Sequence, residues 1–430
     1  MGRAADHRPD TANNLFRQSS NVVVTGNTIG VTTLPHTAGY GLNYASDVLN
    51  STFLPGSNTF LNPGDFGSGV IGQSGAEANP PPLYNYTITD GNDTVDGTSG
   101  GDVIAAGSGN DSVAGNGGSD TLLGNDGNDT LSGGTGGDIL DGGEGNDTAS
   151  YASSVLGVTI NLLANTATGG DAAGDQLLLI ENLIGSAAAD ALYGDAGNNI
   201  LTGGDGNDTL QGNAGGDTMS GGAGNDVYVV ESSGDAVVET AGGGINDFVY
   251  ATVSYTLAAG QEIEGLSANP QAGTNPINLT GNELKQVIRG NNGVNTILGG
   301  DGNDSLYGYG GNDTLESQAG NDALFGGTGV DRFQFRQSQL GAASGIDRIY
   351  DFSASDYIKI DTASVTSQRA LFSTEFALGT SALDASDRVI YDSASGAMWF
   401  DADGNGAQAQ ILFVVIDTKP AVSAADILLF

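Results

Sequence analysis

From residue 89 the chain reads TDGNDTVDG, TSGGDVIAA, GSGNDSVAG, NGGSDTLLG, NDGNDTLSG, GTGGDILDG and GEGNDTASY, nine residues at a time without a gap. Asp recurs at Asp93, Asp102, Asp111, Asp120, Asp129, Asp138 and Asp147, and two places on stands an apolar residue: Val95, Ile104, Val113, Leu122, Leu131, Leu140 and Ala149. Two places before each Asp is Gly91, Gly100, Gly109, Gly118, Gly127, Gly136 or Gly145. The register returns at Asp190, Asn199, Asp208, Asp217 and Asp226, and again at Asn295, Asp304, Asp313, Asp322 and Asp331. A strict short period restricts the chain to a stacked array in which each unit contacts its neighbours.

The unit itself is legible. Gly tolerates positive φ and so permits a tight loop. The three residues around each apolar centre make a short strand with one inward side chain. Two nonapeptides then complete one turn of a flattened coil, and coils stack at the strand spacing of about 4.8 Å. Such a core is one aliphatic side chain thick. The composition agrees: aromatics are 7% and Gly numbers 71 of 430, against a usual Gly share of about 7%. An apolar fraction of 38% is too high for a disordered tail, and the absence of Cys excludes disulfides.

Stacking sets each loop Asp beside the Asp two nonapeptides away, and nine such vertical pairs occur. At about 4.8 Å each pair repels by roughly 0.9 kcal/mol in water and roughly 3.5 kcal/mol at an effective dielectric of about 20. Together they rival the roughly 5–15 kcal/mol stability of a whole domain, so cations are required between the loops. The loops offer carboxylates and backbone carbonyls without Cys or His. That hard, all-oxygen set selects Ca²⁺ over Mg²⁺ and excludes zinc. A formal charge of −39 excludes nucleic acid and anionic membrane surfaces as partners, and no stretch has the length of a membrane span.

The blocks GGEGND (142–147), GGDGND (203–208 and 299–304) and GGAGND (221–226) closely resemble the nonapeptide of RTX (repeats-in-toxin, hemolysin-type) calcium-binding proteins. The resemblance implies an all-β fold: a parallel β-roll with several Ca²⁺ ions held between loops two repeats apart. It assigns as ligands Asp93, Asp102, Asp111, Asp120, Asp129, Asp138, Asp147, Asp208, Asp217, Asp226, Asp304, Asp313, Asp322 and Asp331, with carbonyls around Gly109, Gly118, Gly127, Gly136 and Gly145. It also implies a secreted, extracellular bacterial protein. Some loops depart from the pattern: GSAAAD (185–190) carries Ala188, Asn199 and Asn295 replace Asp, and GNELKQ (281–286) has lost it. Sites that use these loops are expected to be weak or empty.

The organisation expected is a disordered start (1–20), a short parallel β-helix remnant and linker (21–80), and repeat blocks at 81–151, 185–230 and 286–335. β spacers at 152–184 and 231–285 separate the blocks and are expected to pack by apolar stacking. A β cap with a C-terminal secretion signal follows at 336–430, where RFQFRQS, DRIYDF, RVIYDS and ILFVVID alternate as in antiparallel strands. Met1–Asp10 lacks an apolar run, so no signal peptide is expected there. AADILLF (424–430) resembles the uncleaved signal read by the type I secretion apparatus. The stretch NVVVTGNTIGVTTL (21–34) resembles the last coils of the β-helix in mannuronan epimerases, and ANPPPLYN (78–85) reads as a stiff linker.

Other motifs are weaker. G-x-S-x-G occurs at Gly97–Gly101, inside a nonapeptide loop and with no His following; the only histidines are His7 and His36, so H-E-x-x-H is absent. Asp401, Asp403, Asn405 and Gly406 match the first half of an EF-hand loop, but its twelfth position is Leu412, and a polar β-turn is the better reading. Asn278-Leu279-Thr280 is a glycosylation sequon only in a eukaryotic secretory context. The sequence therefore points to a secreted, non-enzymatic Ca²⁺-binding protein that folds outside the cell. The alternative is the C-terminal portion of an extracellular polysaccharide-modifying enzyme whose catalytic domain lies outside this chain.

Overall fold

One inward side chain per nonapeptide dictates two facing sheets, because successive nonapeptides must then fall on opposite walls. The computed structural model has this arrangement. It describes residues 90–336, 340, 344–362 and 368–430, with the short strands Leu42–Asn43, Thr52–Phe53, Val70–Ile71 and Asn85–Thr87 before them. The expected disordered start and β-helix remnant otherwise lie outside the described residues. Two units are distinguished, up to Ile184 and from Gly185 to Phe430.

In the first unit one parallel sheet runs through Asn85–Thr87, Val103–Ser108, Thr121–Asp126, Ile139–Glu144 and Gln176–Leu178. The facing sheet runs through Val70–Ile71, Thr94–Asp96, Ser112–Ala114, Thr130–Ser132, Thr148–Ser150 and Asn182–Ile184. Ile104 pairs with Leu122 and Leu122 with Leu140 on one wall; Val95 pairs with Val113 and Val113 with Leu131 on the other. These side chains are fully buried. The segment after the block is not simply a coil. Thr159–Asn161 and Thr166–Thr168 form an antiparallel hairpin, and only then do Gln176–Leu178 and Asn182–Ile184 rejoin the two walls.

In the second unit one wall is continuous from Ala191–Tyr193 through Thr209–Gln211, Val227–Val230, Phe248–Ala251, Gly265–Ala268, Val287–Arg289, Ser305–Tyr307, Ala323–Phe325 and Asp347–Ile349. Its inward column, Leu192, Leu210, Tyr228, Val249, Leu266, Ile288, Leu306, Leu324 and Ile349, stays buried. Coil length varies along it: Tyr228 pairs with Val249 and Val249 with Leu266, and neither step is two nonapeptides long. The strands keep their spacing while the loops absorb the difference.

The C-terminal cap contains antiparallel strands, Ala397–Phe400 lying between Val389–Tyr391 and Ile411–Ile416. Other cap strands, an early one and the last, prolong the parallel walls instead. Tyr357–Ile360 pairs in parallel with Arg332–Phe335, and Ile427–Leu429 in parallel with Tyr357–Ile360. The alternation in RFQFRQS and DYIKID marks faces and not strand direction, since both sheet types share a period of two. Among the described residues no helix is long and apolar enough to cross a membrane.

Candidate metal centre

Most nonapeptide loops turn through a Gly with positive φ, among them Gly91, Gly109, Gly118, Gly127, Gly136 and Gly145, and deliver the Asp just before the next strand. Gly127 has φ 135°, and a Cβ on it would fall on the carbonyl oxygen of Gly109, one coil away. Gly109, Gly118, Gly136 and Gly145 sit in the same conformation against the loop one coil before them. Conformation and close approach thus both demand glycine in this column.

The Asp column forms a ladder. Asp111 donates its N–H to Asp129 Oδ1 at 2.8 Å, and the same bond joins Asp93 to Asp111, Asp102 to Asp120, Asp120 to Asp138 and Asp129 to Asp147 at 2.7–2.8 Å. The second unit repeats it from Asp190 to Asp208, Asp208 to Asp226, Asp304 to Asp322 and Asp313 to Asp331. One oxygen of each carboxylate is therefore satisfied. The other is not: among the described residues, Oδ2 of Asp111, Asp120, Asp129, Asp138, Asp147, Asp208, Asp217, Asp226, Asp304, Asp313, Asp322 and Asp331, and Oδ1 of Asp102, are buried without a hydrogen-bond donor. Asp93 is half-buried and outside this set.

These orphaned oxygens face a second glycine column, five places before the Asp. A Cβ on Gly124 would fall on Asp129 Oδ2 and the carbonyl oxygen of Gly142; one on Gly308 would lie on Asp313 Oδ2 and the carbonyl of Gly326. Gly115, with Asp120 Oδ2 and the Gly133 carbonyl, and Gly203, with Asp208 Oδ2 and the Gly221 carbonyl, repeat the arrangement. Carboxylate and carbonyl oxygens thus line a space that only the absent side chain leaves open. This donor set fits a hard cation such as Ca²⁺. The sequence carries the column openly, Gly five places before Asp, with Ile88, Ala106 and Ser317 as exceptions.

Burial raises the carboxylate pKa values. It pushes Asp120 and Asp129 up to about 6 and Asp208, Asp304 and Asp313 up to about 7, with neighbouring carboxylates adding to the effect and the backbone N–H bond opposing it. Desolvation is the larger cause in every case. Repulsion between stacked carboxylates therefore ranks second: the main cost is an anion taken out of water.

The loops that depart from the pattern are those whose polar groups find partners within the chain. Asp190 accepts from the Ser186 N–H at 2.6 Å and from its hydroxyl. Asn295 accepts from the Asn291 N–H and donates to the Ile277 carbonyl at 2.9 Å. Gln286 exchanges hydrogen bonds with Asn282. The amide donors Nδ2 and Nε2 do what a carboxylate oxygen cannot.

Spacers and cap hold functional groups that the period does not announce. Asp175 and Glu181 accept from Asp138 and Asp147 at the top of the first block; Asp235 and Asp247 accept from Asp217 and Asp226 in the second; Asp347 and Asp356 accept from Asp322 and Asp331 in the third. The expectation that the spacers pack by apolar stacking alone is thus incomplete, because they also carry the ladder past the repeats. Irregular loop lengths hide these residues from a scan at the nonapeptide period. Gly97–Gly101 lies in the loop closed by Thr98, whose N–H and hydroxyl bond Asp102 Oδ2 at 2.6 and 2.9 Å. Asp401–Gly406 lies in the connection between Ala397–Phe400 and Ile411–Ile416, as a polar turn.

The family model for the RTX calcium-binding nonapeptide repeat (4 copies) matches residues 87–122, 114–149, 180–210, 193–228, 289–324 and 308–333. No curated protein matches the chain significantly. Among solved structures, a subunit of the Azotobacter vinelandii mannuronan C5-epimerase, determined in solution, is 32% identical, with 34% of this chain and 78% of that one covered and a TM-score of 0.24.

Proposed function

We infer that this chain, which carries RTX calcium-binding nonapeptide repeats, is a secreted protein whose rolls complete their folding on binding extracellular Ca²⁺. The observation that supports this reading is the column of buried carboxylate oxygens that lack a donor among the described residues, several of them, as at Asp120, Asp129, Asp208 and Asp313, beside a carbonyl of the next coil. A buried, unpaired carboxylate costs several kcal/mol, and a column of them opposes folding. Asp102, Asp111, Asp120, Asp129, Asp138, Asp147, Asp208, Asp217, Asp226, Asp304, Asp313, Asp322 and Asp331 are the proposed ligands whose free oxygens would hold the ions, with carbonyls such as those of Gly133, Gly142, Gly221 and Gly326. Bound Ca²⁺ supplies positive charge where no N–H reaches. Its binding free energy then counts as folding free energy.

Extracellular Ca²⁺ modules work at about 10⁻⁴–10⁻³ M, far above the range of cytosolic buffers and sensors. The chain would accordingly stay unfolded inside the cell. That suits the type I secretion apparatus, because Ile427–Leu429, within the segment that resembles its signal, is a strand with Ile427 and Leu429 buried in the folded cap. Circular dichroism and hydrodynamic radius in chelator, then in millimolar Ca²⁺ or Mg²⁺, test the reading. Cooperative compaction with Ca²⁺ alone is expected; a compact β spectrum in chelator, or equal rescue by Mg²⁺, would overturn it.

A further inference from the structure

The outer surface of the long wall in the second unit differs in charge from the rest of the roll. From Gln18 to Leu284 the chain has no Lys or Arg, and outward strand positions of the first unit include Asp96 and Asp141. Between Phe248 and Tyr350 the outward positions of the second unit fall into two files. One runs by strand register through Tyr250, Ser267, Arg289, Tyr307 and Phe325, with Tyr350 stacked on Phe325. The other runs through Phe248, Gly265, Val287, Ser305, Ala323 and Arg348. Neither file holds a carboxylate, in a chain with 51 acidic residues against 12 basic ones.

The rings form a ladder along this wall. Tyr307 stacks on Phe325 with centroids 4.5 Å apart, and Phe325 on Tyr350 at 4.7 Å. The Arg289 guanidinium lies 5.7 Å from the Phe248 ring and 5.9 Å from the Tyr307 ring, and so links the two ends of the ladder. Among the described residues no ion pair joins Arg289 to a carboxylate, whereas Arg348 pairs with Asp417. Tyr309 supplies an independent observation. It stands four places before Asp313, in a positive-φ column held elsewhere by residues such as Asn116, Gly134, Gly222 and Gly327. Its φ of 70° is disfavoured for a bulky side chain. Its ring does not enter the core: it is 40% exposed and stacks beside Tyr307 at 6.2 Å. Backbone strain held for a ring that gains little from burial points to a functional position.

We propose that this strip is a docking surface for an extended acidic polysaccharide, whose carboxylates pair with Arg289 and whose sugar rings lie against the exposed Tyr250, Tyr309 and Tyr350. Five coil steps of about 4.8 Å make the strip about 24 Å long. Side chains that recur at one spacing on a parallel wall suit a polymer of like units better than a peptide, whose side chains change from one residue to the next. The guanidinium fork takes a carboxylate in bidentate fashion, and each tyrosine offers an apolar ring with a polar tip. The acidic surface elsewhere repels a polyanion, so a carboxylate-free strip bearing arginine is where one can approach. A polysaccharide with one carboxylate per sugar also leaves an uncharged remainder for the rings to hold, which the phosphate surface of a nucleic acid does not.

The test is calorimetric binding of a short oligogalacturonate to the full chain at saturating Ca²⁺, beside a neutral malto-oligosaccharide and a poly-glutamate peptide. Oligogalacturonate is expected to bind most tightly of the three. Tyr309→Gly gives this position the residue that Gly327 has one coil on, so it removes the ring and relieves the strain. An affinity loss of about tenfold is expected, with a melting temperature unchanged or raised. A lower melting temperature with unchanged affinity would make the ring structural and overturn the proposal. Arg289→Gln should cost affinity for oligogalacturonate and leave malto-oligosaccharide binding as it was; equal losses for both sugars would overturn the pairing of Arg289 with a carboxylate. Absence of oligogalacturonate binding, or tighter binding of poly-glutamate, would likewise overturn the assignment. Ca²⁺ is saturating throughout, so failure here is distinct from failure of the ion-dependent folding.

Discussion

Gly91 and Gly127 offer a matched pair that separates backbone strain from coil packing. Their φ values are nearly equal, 139° and 135°, so an alanine at either position meets the same disfavoured region. That strain is about 1–2 kcal/mol per residue. Their surroundings differ. Among the described residues a Cβ on Gly91 meets nothing within 4 Å, whereas one on Gly127 falls on the Gly109 carbonyl oxygen. No side-chain rotation can relieve the second contact, because both partners are backbone. The coil must open locally, which weakens the 2.9 Å bond from the Gly127 N–H to the Glu144 carbonyl. Overpacking of this sort costs about 1–3 kcal/mol. Gly127→Ala should therefore lose about 1–3 kcal/mol more than Gly91→Ala, in urea unfolding at saturating Ca²⁺ followed by circular dichroism. Equal midpoints for the two variants would refute the claim that coil contact, and not loop conformation alone, fixes this glycine column.

Further outcomes follow from the same geometry. In chelator, acidification from about pH 7.5 to about pH 4.5 should stabilise the folded rolls. Asp120, Asp129, Asp208, Asp304 and Asp313 titrate at about 6 to 7 when folded, against 3.8 ordinarily. The folded state thus binds protons more tightly, and the stability this provides is full below the unfolded value and lost as pH rises through the folded values. Circular dichroism in chelator that gains no β content on acidification over this range would contradict it. Leu131→Asp should destabilise more than Asp129→Ala at saturating Ca²⁺, because Leu131 is fully buried and an unpaired charge there costs several kcal/mol. The Asp129 change removes one N–H acceptor, about 1–3 kcal/mol. Reversed melting temperatures would show Leu131 to point outward. Deleting Asp426–Phe430 removes buried Ile427 and Leu429, about 1.5–3 kcal/mol each. Proteolysis should then open the cap while Ca²⁺ uptake by the repeats persists; an unchanged cleavage pattern would count against the packed strand.

The repeat was legible because its constraints act within a single nonapeptide: Gly for the turn, one apolar residue for the wall, Asp for the loop. Sheet direction, coil height and the inward column follow from those alone, as Val113 against Leu131 shows. The ladder partners outside the repeats were not legible. Asp175 reaches Asp138 only after the hairpin 159–168 has been inserted between them, and Glu181 reaches Asp147 across 34 residues. Their positions are fixed by where the chain returns to the wall, which depends on loop closure and not on local period. The energetic order was misjudged for a related reason. A sequence shows that carboxylates are stacked, but only the folded backbone shows that one oxygen of each is bonded and the other sealed from water.

That division of each carboxylate makes the substitutions informative. An Asp in the ladder has one oxygen committed to a backbone N–H and one left over, so its coil is complete only with a cation. Asn295 accepts the same kind of bond with Oδ1, while its Nδ2 donates to the Ile277 and Asn291 oxygens. Gln286 does likewise through Asn282. Such a coil is complete with protein groups alone. The two kinds alternate in the second unit: Asp208 and Asp226 leave an oxygen over, Gln286 and Asn295 do not, and Asp304 and Asp313 again do. On the proposed reading, coils that would need a cation flank a stretch that would not, which Ile288 and Ile297 pack from within. Departures from the nonapeptide in this region are thus not decayed sites. On that reading they are positions where an amide would stand in for an ion, and they give the second unit a part whose polar groups find partners within the chain.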